Sequence, residues 1–245
     1  MYVWILLHIE YDSNAATAKV DAIEMEYGWT ITGVSGTTTS MTYQKEIELV
    51  FDASSFLPRH SSSPAKQTVN SRIDLWYIGA NRELNPVPLT AEKDFFLQSI
   101  RDHIRGLPQS QTQVRDLLNA VSLSWNKASK VFEDIRMLTI SCPTEISKTS
   151  DDSILVKASL LIGALTTKIE IAFHLTSASG ENGIDVEISP SATVVYGERF
   201  NEPKMKEFLL NRCGDAVEEL GQATKVSWGN AVAELGEKLL ARGRK

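Results

Sequence analysis

Two blocks of residues that alternate apolar and polar, each flanked by segments of helical periodicity, restrict this 245-residue chain more than any other feature. In the first block Trp29, Ile31 and Gly33 alternate with Thr30, Thr32 and Val34, and Thr38 to Gln44 returns after a Ser35-Gly36 turn. Next, Ile47, Leu49 and Phe51 alternate with Glu46, Glu48 and Asp52. Successive strand side chains point to opposite faces, so the pattern predicts strands with one wet face. A fourth strand is expected where Ile73, Leu75 and Tyr77 alternate with Asp74 and Trp76, beyond a polar loop from Pro58 to Asn70. A short helix over Asn14 to Tyr27, stopped by Gly28, precedes the block. A helix capped by Thr90 follows it, with Phe96, Leu97, Ile100 and Ile104 on one stripe, ended by Gly106 and Pro108.

The second half repeats this order. Ser110 with Gln113 has the form of a capping box, opening a helix to about Ile140 with Leu117, Val121, Trp125, Ala128, Val131, Ile135 and Leu138 inside. Pro143 ends it, and "KTSDDS" reads as a turn. Strands are expected over Ile154 to Ile162, Ile169 to Leu175, Ile184 to Ile188 and Thr193 to Tyr196, with "SGENG" as a hairpin loop. Two helices close the chain, Glu202 to Arg212 and Asp215 to Arg242. Gly221, Gly229 and Gly236 each cost the last helix about 1 kcal/mol relative to alanine, so something packs closely there or the helix bends. The economical account is an α+β chain of two lobes, each an antiparallel sheet packed against helices, joined by the short "RGLPQS".

Composition excludes several classes of function. A net charge of −6 opposes phosphate backbones, so direct nucleic-acid binding is not expected. The basic tail Lys238, Arg242, Arg244 and Lys245 suits the carbonyl end of a helix. Cys142 and Cys213 have neither metal-ligand spacing nor disulfide density, and are expected to be reduced thiols of an intracellular protein. The start, "MYVWILLHIEYD", has no basic residue ahead of its apolar run and is too short to cross a bilayer, which takes about 20 apolar residues. It is read as an apolar segment docked on the domain or as an artefact of where the chain was taken to begin, and no membrane contact is expected.

The glycines and hydroxyls of "GWTITGVSGTTTS" pose the question of a phosphate cradle. Such a cradle leads from a strand straight into a helix N-terminus, whereas Gly33 and Gly36 lead into more strand and no Lys-Ser or Lys-Thr follows. "GVSG" lacks the five-residue nucleophile elbow. His8, His60, His103 and His174 never reach chelating spacing, and His103 and His174 are expected on solvated faces. The carboxylate pairs Asp151-Asp152, Glu133-Asp134 and Glu218-Glu219 fall in turns or on helix faces, not in the contrasting buried environments that acid–base chemistry needs. No catalytic, cofactor-binding or metal site is therefore expected. Of the five tryptophans Trp4, Trp29, Trp76, Trp125 and Trp228, Trp76 stands apart, either core between sheet and helix or an exposed interface anchor.

The stretch "GWTITGVSGTTTSMTYQKEIELVFDASSF", with "RIDLWYI", "FFLQSIRDHIRGL", "VRDLLNAVSLSWNKA" and "YGERFNEPKMKEFL", resembles the carboxy-terminal region of the fungal blinkin-type kinetochore scaffold, the KNL family, collinearly over about residues 20 to 240. The resemblance implies tandem RWD folds, kin of the ubiquitin-conjugating fold without its catalytic cysteine. It places a short segment or coiled-coil remnant at 1–27, a first lobe at 28–107 and a second at 108–245 with a long last helix. It further implies a non-catalytic docking module in the nucleus, at the kinetochore, that anchors the scaffold to the MIND complex, with a coiled-coil kinetochore protein as a second candidate partner. Docking would use the groove between lobes or a sheet edge by strand addition. The alternatives are an unrelated intracellular RWD-type adaptor and a conjugating enzyme using Cys142 or Cys213, for which the His-Pro-Asn element is missing. The family's long coiled coil and checkpoint-recruiting repeats are not in this sequence; "RMLTI" is not such a repeat.

Overall fold

A computed structural model describes residues 28–56, 73–213 and 226–243. The expected helix over Asn14 to Tyr27, the apolar start, the polar loop, His8, His60, Trp4, Gly221 and Glu218-Glu219 lie outside the described residues.

Among the described residues the chain is α+β, with two four-stranded antiparallel sheets packed against four helices. The first sheet is a meander in the order β1 (Trp29–Ser35), β2 (Thr38–Tyr43), β3 (Ile47–Asp52), β4 (Asp74–Tyr77). Helices α1 (Ala91–Gly106) and α2 (Val114–Ser141) follow, then the second meander of β5 (Thr144–Ser150), β6 (Ser153–Ile162), β7 (Thr167–Gly180) and β8 (Gly183–Tyr196). Helices α3 (Glu202–Cys213) and α4 (Trp228–Gly243) close the chain. This is the layered class that the two alternating blocks predict, and it is consistent with tandem RWD-like lobes.

By its internal contacts the chain forms two compact units. The first holds the first sheet, residues 96–126 and the β7–β8 tip at 179–184. Its alternation is clean: Ile47, Leu49 and Phe51 are buried while Glu48, Val50 and Asp52 are half-buried. Phe96, Ile100, Ile104, Val121 and Trp125 of the same unit are buried as well. The second unit holds residues 91–95, 127–178 and 185–245. There Phe173 stacks on Trp228 with centroids 4.1 Å apart and planes at 6°.

Several expectations are corrected. Helix α2 starts at Val114, not at a capping box on Ser110: Gln109–Gln111 form a 3₁₀ turn, and the Gln113 carbonyl accepts the first helical amides, those of Asp116 and Leu117. Most of "KTSDDS" is not turn. Lys148 to Ser150 end strand β5, and only Asp151 and Asp152 turn the chain. The two expected strands Ile184 to Ile188 and Thr193 to Tyr196 are one, β8, which carries Pro190 because an edge strand need not donate from every amide. The last helix begins at Trp228, with Val226 and Ser227 outside it, rather than running from Asp215. Its Gly229 explains itself: an added Cβ would lie 2.6 Å from the Met137 carbonyl oxygen, so α4 crosses α2 with no room for a side chain.

Candidate docking surface

Among the described residues no three His, Cys, Asp or Glu side chains could hold a metal ion together. Cys142 and Cys213 are buried free thiols, and burial pushes the Cys142 thiol up from its ordinary value. His174 is half-buried on β7. His103 is a correction: it is buried, not on a solvated face. Its helix buries Phe95, Phe96 and Leu97 in succession, and at about 100° per residue that is more than a single stripe. The carboxylates serve local ion pairs: Glu133 accepts both donors of Arg136, which holds its carboxyl below the usual range, and Asp151 is likewise held down by Lys148 at 2.7 Å. Asp134 accepts the amide of Trp228 at 3.4 Å.

What the folds do present is strand edges and sheet faces. An exposed strand edge is a template for added strands, so the state of each edge matters. On β8 the Ile184 amide donates to Ser124 Oγ at 3.0 Å, the Val194 amide donates to Glu202 Oε1 at 3.1 Å, and Pro190 has no amide hydrogen. These positions differ by even numbers, so in a regular strand they project from the same edge. Edge β4 is four residues long, and its Leu75 carbonyl accepts Arg101 Nε at 2.7 Å. Edges β1 and β5 each break register, between Ile31 and Gly33 and between Lys148 and Ser150, with Lys148 exposed. Bulges, short edges, lysine and proline all obstruct strand addition. A sheet face is then the better platform.

The outer face of the first sheet has that character. Trp76 points there and is 49% exposed, which rules out the core position between sheet and helix that the sequence left open. The Arg101 guanidinium lies 5.6 Å from its ring centroid, tied in place by the Leu75 carbonyl. Across the ladder Trp76 pairs with Glu48, and Glu48 with Thr42. Glu48 Oε1 accepts from Thr32 Oγ1 at 3.2 Å and from Ser40 Oγ, so two hydroxyls from two other strands fix the carboxylate. Trp and Arg are enriched among the residues that dominate interface energetics, Trp because it buries a large area with only two torsions to freeze.

At one end of this sheet the β2–β3 turn is held under strain. Gln44 and Lys45 both have positive φ, 52° and 55°, the pair of left-handed residues that a tight hairpin turn needs but that usually falls to asparagine or glycine. Arg82 donates to both of their carbonyls, at 2.7 and 2.9 Å, and pairs with Glu46 at 3.6 Å. Asn126 accepts from Gln44 Nε2 and from Tyr43 Oη, and Trp125 Nε1 donates to Glu46 at 3.1 Å. The turn is thus fixed from two other elements. Strand composition alone could not reveal this, because Arg82 lies 37 residues away from Lys45.

No curated protein matches the sequence. A scan against family models matches residues 11–132 to the Knl1 RWD C-terminal domain, a stretch that includes the whole first sheet, α1 and α2 as far as Phe132. Through these residues the chain resembles the RWD C-terminal region of the Knl1, or blinkin-type, family, a kinetochore-related family of protein-interaction modules.

Proposed function

We propose that this chain is the non-catalytic docking module of a kinetochore scaffold, anchoring the scaffold to the MIND complex in the nucleus and so supporting kinetochore–microtubule attachment and chromosome segregation. The match of residues 11–132 to the Knl1 RWD C-terminal domain carries the reading. The division into a leading segment at 1–27, a first lobe at 28–107 and a second at 108–245 belongs to the same reading. The buried cysteines support it too. A conjugating enzyme needs a thiolate open to its substrate, and burial keeps the Cys142 thiol protonated.

Mixing the full chain with purified MIND complex at micromolar concentration tests the proposal. Co-elution on a sizing column is expected. Separate elution, or a pull-down that returns only partners from outside the kinetochore, would favour an unrelated RWD-type adaptor instead.

A further inference from the structure

We infer that Trp76 and Glu48 on the outer face of the first sheet form a recognition site for a basic side chain, arginine or lysine, carried by a partner protein. The inference rests on the docking reading above for the partner's existence, but on its own geometry for the partner's chemistry. The two residues are direct cross-strand partners on one face, which puts their Cβ atoms about 5 Å apart. The indole is half exposed, and an aromatic face attracts cations through its quadrupole. Beside it stands a carboxylate with one oxygen held by Thr32 and Ser40, while among the described residues no cation pairs with Glu48.

Arg101 shows that this indole accepts a guanidinium, and its tether to the Leu75 carbonyl keeps it at the β4 edge. An acidic or phosphorylated segment would meet Glu48 unfavourably. A basic one gains both the carboxylate and the ring. The hydroxyl clamp means that Glu48 needs little reordering to receive it.

The test follows the five tryptophan indole NMR signals of the full chain, labelled with ¹⁵N-tryptophan, as a capped Gly-Arg-Gly-Arg-Gly peptide is added. Trp76→Phe assigns the Trp76 signal. That signal is expected to shift saturably, with affinity about tenfold weaker in Glu48→Gln, a loss in the range of one cation–carboxylate or cation–π contact. The same charge change at Asp185→Asn, in the second unit, is expected to leave it unchanged. An equal shift with the corresponding Gly-Glu peptide, or no effect of Glu48→Gln, overturns the inference. A second arm measures MIND binding by wild type, Trp76→Ala and Glu48→Gln. Wild-type binding that both variants retain overturns the inference and leaves the proposed function standing. Absent wild-type binding overturns that function, and the peptide titration then decides the site alone.

Discussion

Replacing Gly229 by alanine sets two physical effects against each other, and the packing of α4 decides the sign. Helix propensity alone predicts a gain of about 1 kcal/mol, because glycine is the poorer helix former. The structure predicts a loss. A Cβ at position 229 would sit 2.6 Å from the Met137 carbonyl oxygen, 2.9 Å from its carbon and 2.8 Å from Ser141 Oγ, where ordinary contacts begin at 3.4 Å. Met137 presents backbone, which cannot rotate aside, so α4 would have to move by about 0.8 Å relative to α2. That shift disturbs the Phe173–Trp228 stack and the buried Val232 and Leu235. Overpacking of this kind costs about 1–3 kcal/mol or more, leaving a net loss of up to about 2 kcal/mol and a fall in Tm of up to about 4–8 °C. Gly236 supplies the control, since its added Cβ would meet only the flexible end of Leu160 at 3.4 Å. Gly236→Ala should therefore raise Tm by up to about 2–4 °C. Thermal unfolding of both variants gives the answer, and the reasoning is refuted if Gly229→Ala is as stabilising as Gly236→Ala.

Lys45→Gly should stabilise the chain by about 0.5–1 kcal/mol, the relief of left-handed strain less the extra freedom of the unfolded glycine. Arg82→Ala, which frees the same turn from its clamp, should cost about 1–2 kcal/mol; urea unfolding reads both, and a destabilising Lys45→Gly would contradict the strain argument. Because burial raises the Cys142 thiol, the neutral form that folding favours persists above its ordinary range, and the associated stability is fully present below the ordinary thiol value and is lost as alkaline pH rises from there through the folded value. Both native thiols should therefore react with an aromatic disulfide reagent at least about tenfold more slowly than glutathione near neutrality, and rapidly once urea unfolds the chain. Fast labelling of folded protein would count against the burial. In an assay with activated ubiquitin-type donors, no thioester adduct on Cys142 or Cys213 is expected, and formation of one would remove the non-catalytic reading.

The first sheet was legible because Ile47, Leu49 and Phe51 face inward and Glu48 and Asp52 outward, with Val50 the one apolar residue on the outer face of that strand, a pattern that a one-sided sheet rewards. Strand β5 was not. "TEISKTS" lies at a sheet edge with little to bury, so it carries scant alternation to read. Strand β8 looked like two because Ser189, Pro190 and Ser191 interrupt its apolar run, yet at an edge a missing amide hydrogen costs no ladder bond. His103 was misplaced because a stripe argument assumes one covered side, and α1 is covered on more than one. For Trp76, alternation assigned the face but could not say whether a helix covered it. The clamp of Glu48 by Thr32 and Ser40 joins three strands, so it exists only once the register is set. The family resemblance fared differently, since it depends on residue identities in order rather than on burial, and residues 11–132 match on that basis.

Titration of the full chain into purified MIND complex by isothermal calorimetry addresses the docking claim itself. The account predicts saturable binding at one defined stoichiometry with a Kd of about 1 μM or tighter, weakened in Trp76→Ala. Heats no larger than those of dilution at the same concentrations would contradict it.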